Sequence, residues 1–317
     1  MPERNVIVLG AGRIGAAMAR DLARDPTLSV TAADARPDAL RRLKEVAAGE
    51  GSEIRTYPAD LSDATSLARA LEGHDLAIGA VPGPMGFETL RRTLQAGVDV
   101  VDISFFEEDA FELHDLARKR GRTAIVDAGV APGLSNLLLG HFEATLSRVT
   151  RFECLVGGIP DDPAPPWEYR APFSPIDVIA EYTRPSRVRR GGEDVTLPAL
   201  SEVELVEFPG VGTLEAFNTD GLRTLLRTSR VPELIEKTMR WPGHADRVRV
   251  MRDSGFFGEE PVELPSGVAV VPLELSARLL FDAWRYDEGE ADLTAMRITV
   301  DGTDDRGAVR HVLHLLD

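Results

Sequence analysis

Three glycines, Gly10, Gly12 and Gly15, separate an apolar run from a helix-like pattern in the stretch NVIVLGAGRIGAAMARDLAR. Their G-x-G-x-x-G spacing suits the chemistry of holding a dinucleotide pyrophosphate. The first glycine permits a tight turn, the second lets the phosphates approach the backbone, and the third lets helix and strand pack closely. Arg13 and Ile14 complete this loop, and the free N–H groups at the helix N-terminus offer the phosphates a partial positive charge. About 20 residues on stands Asp34, where an acid accepts hydrogen bonds from the adenosine ribose hydroxyls. A carboxylate there repels a 2′-phosphate, so the sequence predicts NAD over NADP. Arg36 pulls the other way, being placed to stack on adenine or to bind that phosphate. The alternative for Asp34 is a solvated loop acid at a strand end.

The elements that must position these groups follow in regular alternation. Strands are expected at residues 6–9, 28–33, 54–57, 76–81, 98–103 and 123–126. Helices are expected at 37–48, 62–71 (with Ser62 as N-cap), 86–96 and 107–119. Such alternation predicts a Rossmann-type α/β fold with a doubly wound parallel sheet over residues 1–147, in which ligands lie across the carboxyl ends of the strands. Asp60 and Leu61, Val81 and Pro82, Asp102 and Ser104, and Asp127 all stand at such ends. Asp60 is expected either to contact adenine or to serve as a turn residue before Ser62; Val81 and Pro82 border the nicotinamide ribose. Asp127 ends the last strand and leads into the turn of IVDAGVAPGLSN, which opens a helix to about residue 146.

From residue 148 the pattern changes. A strand at 152–156 is followed by the proline-rich stretch GGIPDDPAPPWEYRAPFSP, and a long loop carrying aromatics is more often functional than a linker. Helices are expected at 175–182 (with Ser174 as N-cap), 220–227, 245–254 and 272–284. Strands are expected at 187–190, 195–197, 202–208, 212–217, 237–241, 293–301 and 309–316. Strand runs with few helices predict a second, α+β domain over residues 148–317 with a largely antiparallel mixed sheet.

The 317 residues carry a formal net charge of -16 and 43% apolar residues, enough for two cores and unfavourable for nucleic acid or an anionic membrane. No run is long enough to span a bilayer and no signal-peptide pattern opens the chain, so a cytoplasmic protein is expected. Cys154 is the only cysteine, and the six histidines show no metal-binding spacing, so no metal is expected. Lysine occurs only at Lys44, Lys119 and Lys237, and a catalytic lysine is not expected.

The elements IVDAGVAPGLSN, PPWEYRAPFSP, AFNTDGLRTL and TMRWPGHADRVRVMRDSGFF, in this order, resemble the saccharopine dehydrogenase family, and more closely its lysine 6-dehydrogenase-like branch. The resemblance covers nearly the whole chain. It implies a homodimer of a Rossmann domain and a substrate domain, acting on an amino acid at a carbon that bears nitrogen. The branch implies oxidative deamination of lysine at its ε-carbon with NAD, and a C-terminal tail beyond the final hairpin, where this sequence ends in HLLD. Saccharopine dehydrogenases and carboxynorspermidine-type enzymes are alternatives within the class. A dinucleotide-binding protein without turnover is the alternative outside it.

That chemistry needs a carboxylate clamp, a neutral amine and a base. Arg240, within R-W-P-G-H, is expected as the clamp, with Arg170 and Arg223 as runners-up. His244 or Asp127 is expected as the base. Asp220 is expected to cap a helix or to pair with the substrate's α-ammonium, and Tyr169 and Phe173 to wall the apolar part of the pocket.

Overall fold

The computed structural model describes residues 4–171, 175–287 and 289–317. The chain divides into two compact units, Met1–Gly133 and Leu134–Asp317. The first is a six-stranded sheet in the order β3-β2-β1-β4-β5-β6, formed by Arg4–Leu9 (β1), Leu28–Asp34 (β2), Arg55–Pro58 (β3), Leu76–Gly79 (β4), Asp99–Asp102 (β5) and Ala124–Ile125 (β6). All neighbours are parallel. Between the strands run α1 (Arg13–Leu22), α2 (Pro37–Gly49), α3 (Ala64–Leu71), α4 (Gly83–Ala96) and α5 (His114–Arg120). β1 shows why the sheet needs helices on both faces. Ile7 and Leu9 enter one core with Leu67, Leu90 and Leu94, while Val6 and Val8 enter another with Leu40 and Leu43. An apolar strand that buries alternate residues on opposite sides leaves no face for water.

Two boundaries differ from the expected ones for local reasons. Ser62 does not cap α3: the Asp63 carboxylate accepts the Ser66 N–H at 2.7 Å, which makes Asp63 the N-cap. The expected helix at 107–119 is a 3-10 turn, Ala110–Leu113, followed by α5; Asp109 starts that turn by accepting the Phe111 N–H at 2.9 Å.

The second unit opens with α6 (Leu134–Thr145). Its eight-stranded mixed sheet is centred on β7 (Arg148–Pro160), which pairs in parallel with β12 (Glu233–Arg240) and antiparallel with β15 (Asp292–Asp304). Beyond β12 lie β11 (Gly212–Asn218) and β10 (Glu204–Phe208), beyond β15 lies β16 (Gly307–Leu316), and β8 (Ser186–Arg190) joins β12 to β9 (Glu193–Leu197). Helices α7 (Pro175–Thr183), α9 (His244–Asp253) and α10 (Pro272–Ala283) contribute to one aromatic-rich core with Tyr169, Tyr182, Phe217 and Trp284. The remaining elements are short: α8 (Leu225–Thr228) and the hairpin β13 (Val262–Glu263) with β14 (Ala269–Val270), which the sequence pattern does not announce.

A helix over 220–227 does not form; only α8 is helical. Arg223 holds a left-handed backbone, φ +44°, which an α-helix cannot contain. The Ser174 N-cap and the Phe173 wall fall outside the described residues.

Candidate functional site

Each unit carries its own constellation. In the first, Gly10 has φ +107°, and a Cβ on it would lie 2.4 Å from the Ala80 carbonyl oxygen. A Cβ on Gly15 would lie 2.0 Å from the Gly10 carbonyl oxygen, so this glycine lets the loop fold against α1. Gly12 differs. Its Cβ would meet nothing nearer than the Arg36 guanidinium at 3.8 Å. Packing within the protein does not demand a glycine at that position, whereas approach of a phosphate to bare backbone does.

Asp34 ends β2 and is turned toward this loop. One carboxylate oxygen, Oδ2, accepts the Ala11 N–H at 2.8 Å, and Oδ1 accepts the Arg36 N–H at 2.8 Å. The Arg36 guanidinium adds Nε to Oδ1 at 3.1 Å and a second nitrogen to Oδ2 at 3.2 Å. Burial alone would raise the Asp34 pKa, but these hydrogen bonds outweigh it and hold the carboxyl below its usual range. Beside it runs a cleft of about 460 Å³ lined by Gly12, Arg13, Arg20, Arg36 and Arg42. Arg20 and Arg42 were not among the expected residues. The signal for Arg20 was present, since two helical turns separate it from Arg13 and place both on one face of α1.

The other strand ends divide. Asp60 is a turn residue, accepting the Ser62 N–H at 2.9 Å and its hydroxyl at 2.6 Å, and Leu61 is a core side chain beneath it. Val81 is also buried in that core, and Pro82 is the residue preceding α4. Asp102 is fully buried and accepts the Ser104 N–H at 2.8 Å; a Cβ on Gly79 would overlap its Oδ2 at 1.8 Å. Ser104 is buried beside it. Asp127 holds a left-handed backbone, φ +51°, and is 5% exposed. Ile14 is half exposed at the glycine loop.

In the second unit His244 starts α9 and is fully buried. Its Nδ1 lies 3.0 Å from the Trp167 carbonyl oxygen, which only accepts, so Nδ1 carries the hydrogen and donates it. Nε2 then accepts the Tyr182 hydroxyl at 2.9 Å. Burial, reinforced by the neighbouring Arg240 charge, depresses the His244 pKa to about 3. The expectation of a base titrating near neutrality is therefore corrected: both ring nitrogens are engaged and the imidazole is held neutral in the core.

The expected clamp is corrected as well. Arg240 is 2% exposed and donates to Glu181 at 2.9 Å and to the Met239 carbonyl at 3.0 Å, with its Cζ 4.6 Å above the Tyr169 ring. A guanidinium so enclosed grips no incoming carboxylate without displacing Glu181. Tyr169 is 1% exposed, packed between Arg240, His244 and Trp284, and so belongs to the core and does not wall an open pocket. Asp220 neither caps a helix nor waits for an ammonium. It grips Arg187 in a two-pronged ion pair, Nε at 2.9 Å and Nη2 at 2.7 Å, and also accepts the Arg187 N–H at 3.0 Å. Of the runners-up, Arg170 pairs with Glu290 and the Ala283 carbonyl. Lys237 is buried and donates to Glu204 at 2.6 Å.

The residue that sequence reasoning missed is Glu236, a carboxyl 4% exposed on β12. Its signal lay in strand alternation: Glu236, Thr238 and Arg240 share one face, but the expected strand began one residue too late to include it. Among the described residues no group of three or more His, Cys, Asp or Glu side chains is arranged to hold a metal ion, and no helix is long and apolar enough to cross a membrane.

Residues 6–125 match the family model of the saccharopine dehydrogenase NADP binding domain, and residues 129–316 that of the saccharopine dehydrogenase C-terminal domain. The glutamate-forming, NADP-linked saccharopine dehydrogenase of Schizosaccharomyces pombe is 23% identical over 236 residues, covering 70% of this chain and 52% of that protein. Carboxynorspermidine synthase of Vibrio cholerae is 24% identical over 340 residues, covering 97% of this chain and 80% of that protein. The chain thus spans about half the length of the first of these relatives. Apo saccharopine dehydrogenase (L-Glu forming) from Saccharomyces cerevisiae shares the fold, with a TM-score of 0.75 at 17% identity over 99% of this chain and 85% of that one. Two family models, one for each unit, together cover most of the sequence, and the chain belongs to the saccharopine dehydrogenase family.

Proposed function

We propose that this chain is an NAD-dependent oxidoreductase acting on the CH–NH2 group of an amino acid, and that its reaction is oxidative deamination of lysine at the ε-carbon. The observation that carries the dinucleotide half is the Gly10–Gly12–Gly15 loop, in which Gly12 leaves bare backbone open to a phosphate. Membership of a family whose named relatives act on saccharopine or make carboxynorspermidine supports an amino-acid substrate; the lysine branch rests on the sequence elements quoted above. The same resemblance supports a homodimer.

The residues fit the group the family implies. N–H groups at the start of α1 would hold the pyrophosphate, and the Asp34 carboxylate would accept hydrogen bonds from the adenosine ribose hydroxyls. Once bound, the dinucleotide supplies the hydride acceptor. Everything else falls to the chain. It must orient the nitrogen-bearing carbon, exclude water until the carbon is oxidised, and remove the amine proton. A free lysine ammonium has a pKa of about 10.4 and yields hydride only when neutral. Asp127, at the end of β6, is proposed to orient the amine; its buried carboxyl and left-handed backbone suit a residue fixed for one direction.

One observation favours a second cofactor reading. Arg13, Arg20, Arg36 and Arg42 line the cleft beside Asp34, and arginines at such a place receive a 2′-phosphate. Asp34→Ala separates the two. It removes the carboxylate that repels the phosphate and releases Arg36 from its ion pair, so NAD is expected to bind about 10-fold more weakly while NADP binding holds or improves, by roughly 1.4 kcal/mol of changed preference. Titration of both dinucleotides checks this; an unchanged ratio contradicts the role of Asp34. The reaction itself is tested by formation of reduced dinucleotide from lysine, and separately from saccharopine.

A further inference from the structure

Within the nucleotide unit the 3-10 turn Ala110–Leu113 and α5 leave a cavity of about 280 Å³ against α4 and β6. Leu90 and Leu94 of α4, Phe111 and Leu113 of the turn, and Val126 after β6 give it an apolar lining. Ala110, Ala117 and Ala124 stand among them, and such small side chains leave space that larger ones would fill. A close-packed domain carries few voids larger than a water molecule, so a space of this size is not an ordinary packing defect. It stands near the lower end of ligand pockets, which run from about 300 to 1,000 Å³. It shares no lining residue with the cleft beside Asp34.

Two arginines, Arg118 and Arg122, also line the cavity, and local backbone chemistry puts them there. Gly121 has φ +62°, the left-handed conformation that ends a helix. Its N–H donates to the Arg118 carbonyl at 3.1 Å, and the Arg122 N–H donates to the Ala117 carbonyl at 3.0 Å. This Schellman turn wraps the chain back over the last turn of α5 and returns Arg122 to the cavity that Arg118 lines. Arg122 also reaches α4, for its Nε lies 4.0 Å from where a Cβ on Gly97 would be, at the end of the helix that carries Leu90 and Leu94. Neither guanidinium has an ion-pair or hydrogen-bond partner among the described residues. No Asp or Glu is found among the described lining residues, in a chain that carries 52 of them.

Apolar walls and unpaired cations together select one ligand chemistry. Leucine side chains give a hydrated ion such as phosphate nothing to replace its water, and an uncharged apolar molecule leaves both arginines unused. An amino acid needs an acid for its ammonium, and the lining offers none. Lys119 and Arg120, also in the last turn of α5, answer the negative end of that helix and do not line the cavity. We propose that this cavity binds a small monocarboxylate with an aliphatic body, its carboxylate held by Arg118 and Arg122 and its chain laid against Leu90, Leu94 and Leu113. A guanidinium offers a carboxylate two parallel N–H donors, which fixes the head group while the chain displaces water from the leucines.

The test is isothermal titration of the 317-residue chain with octanoate, beside octanol and inorganic phosphate as the apolar and anionic halves of the ligand taken separately. Octanoate is expected to bind saturably with a Kd below about 1 mM, and octanol and phosphate each about 10-fold more weakly or worse. Arg118→Gln combined with Arg122→Gln is expected to weaken octanoate by about 10-fold and to leave octanol unchanged. Both arginines are exposed, so the double variant keeps its core. Ala117→Leu fills the cavity and is expected to abolish octanoate binding. Circular dichroism checks that each variant is folded, and if Ala117→Leu is not, the arginine variant is read alone. Octanol or phosphate binding as tightly as octanoate overturns the ligand class. Octanoate that does not bind in the expected range, or that binds the folded arginine variant as it binds the wild type, overturns the site.

Discussion

Gly10→Ala is expected to abolish dinucleotide binding and to destabilise the nucleotide unit, whereas Gly12→Ala is expected to abolish binding alone. Gly10 stands at φ +107°, and a methyl group there would meet the Ala80 carbonyl oxygen at 2.4 Å. The backbone strain by itself costs about 1–3 kcal/mol, and the collision must be relieved by moving either the loop or the end of β4. Neither is soft, because β4 pairs with β1 along Val6 to Leu9 and lies under both cores. At Gly12 the added methyl group meets only the far end of Arg36, so the free protein tolerates it while an incoming pyrophosphate does not. Denaturant unfolding beside dinucleotide titration distinguishes the two variants. A Gly12→Ala protein that binds as the wild type does would remove the phosphate from this loop.

Trp284→Ala is expected to cost about 3–5 kcal/mol, the range for emptying a large aromatic site in a core that cannot collapse. Trp284 is fully buried at the end of α10, with ring centroids of Tyr169 at 5.3 Å, Trp167 at 5.9 Å, His244 at 6.3 Å and Tyr182 at 6.5 Å. These rings carry the Tyr182–His244–Trp167 hydrogen-bond chain and the stacking of Arg240 on Tyr169. A cavity there loosens β12 and the start of α9 together. Urea unfolding followed by far-ultraviolet circular dichroism measures the loss, and a change below about 1 kcal/mol would mean that the cluster is not the core of the unit.

The architecture was legible because it rests on local periodicity. Apolar runs of strand length, glycines at fixed offsets and helix faces of regular spacing are properties of neighbouring residues, and β1 through α4 follow from them within a few positions. The antiparallel half was also legible in outline, but its details depend on distant partners. The expected helix at 220–227 fails because Arg223 is left-handed and the Gly221 N–H is held by Glu236 of β12, and neither fact is visible in the stretch itself. Residue types suited to catalysis misled for the same reason. His244, Arg240 and Asp220 have the right chemistry on paper, yet each is already spent on Tyr182, Glu181 or Arg187 within the fold. Burial decided their roles, and burial is a tertiary property. Glu236 was passed over as one more acid among 52 in an acidic chain; only the convergence of Thr219 and Gly221 on one oxygen sets it apart.

The measurement that bears most directly on the account is reduced-dinucleotide absorbance in a solution of the 317-residue chain with NAD and lysine, set beside the same solution with saccharopine. The account predicts a steady rise with lysine and none with saccharopine. A rise with saccharopine and none with lysine would contradict the proposed substrate. No rise with either amine, from a chain that still binds NAD, would contradict the proposed reaction and leave a dinucleotide-binding protein of this family.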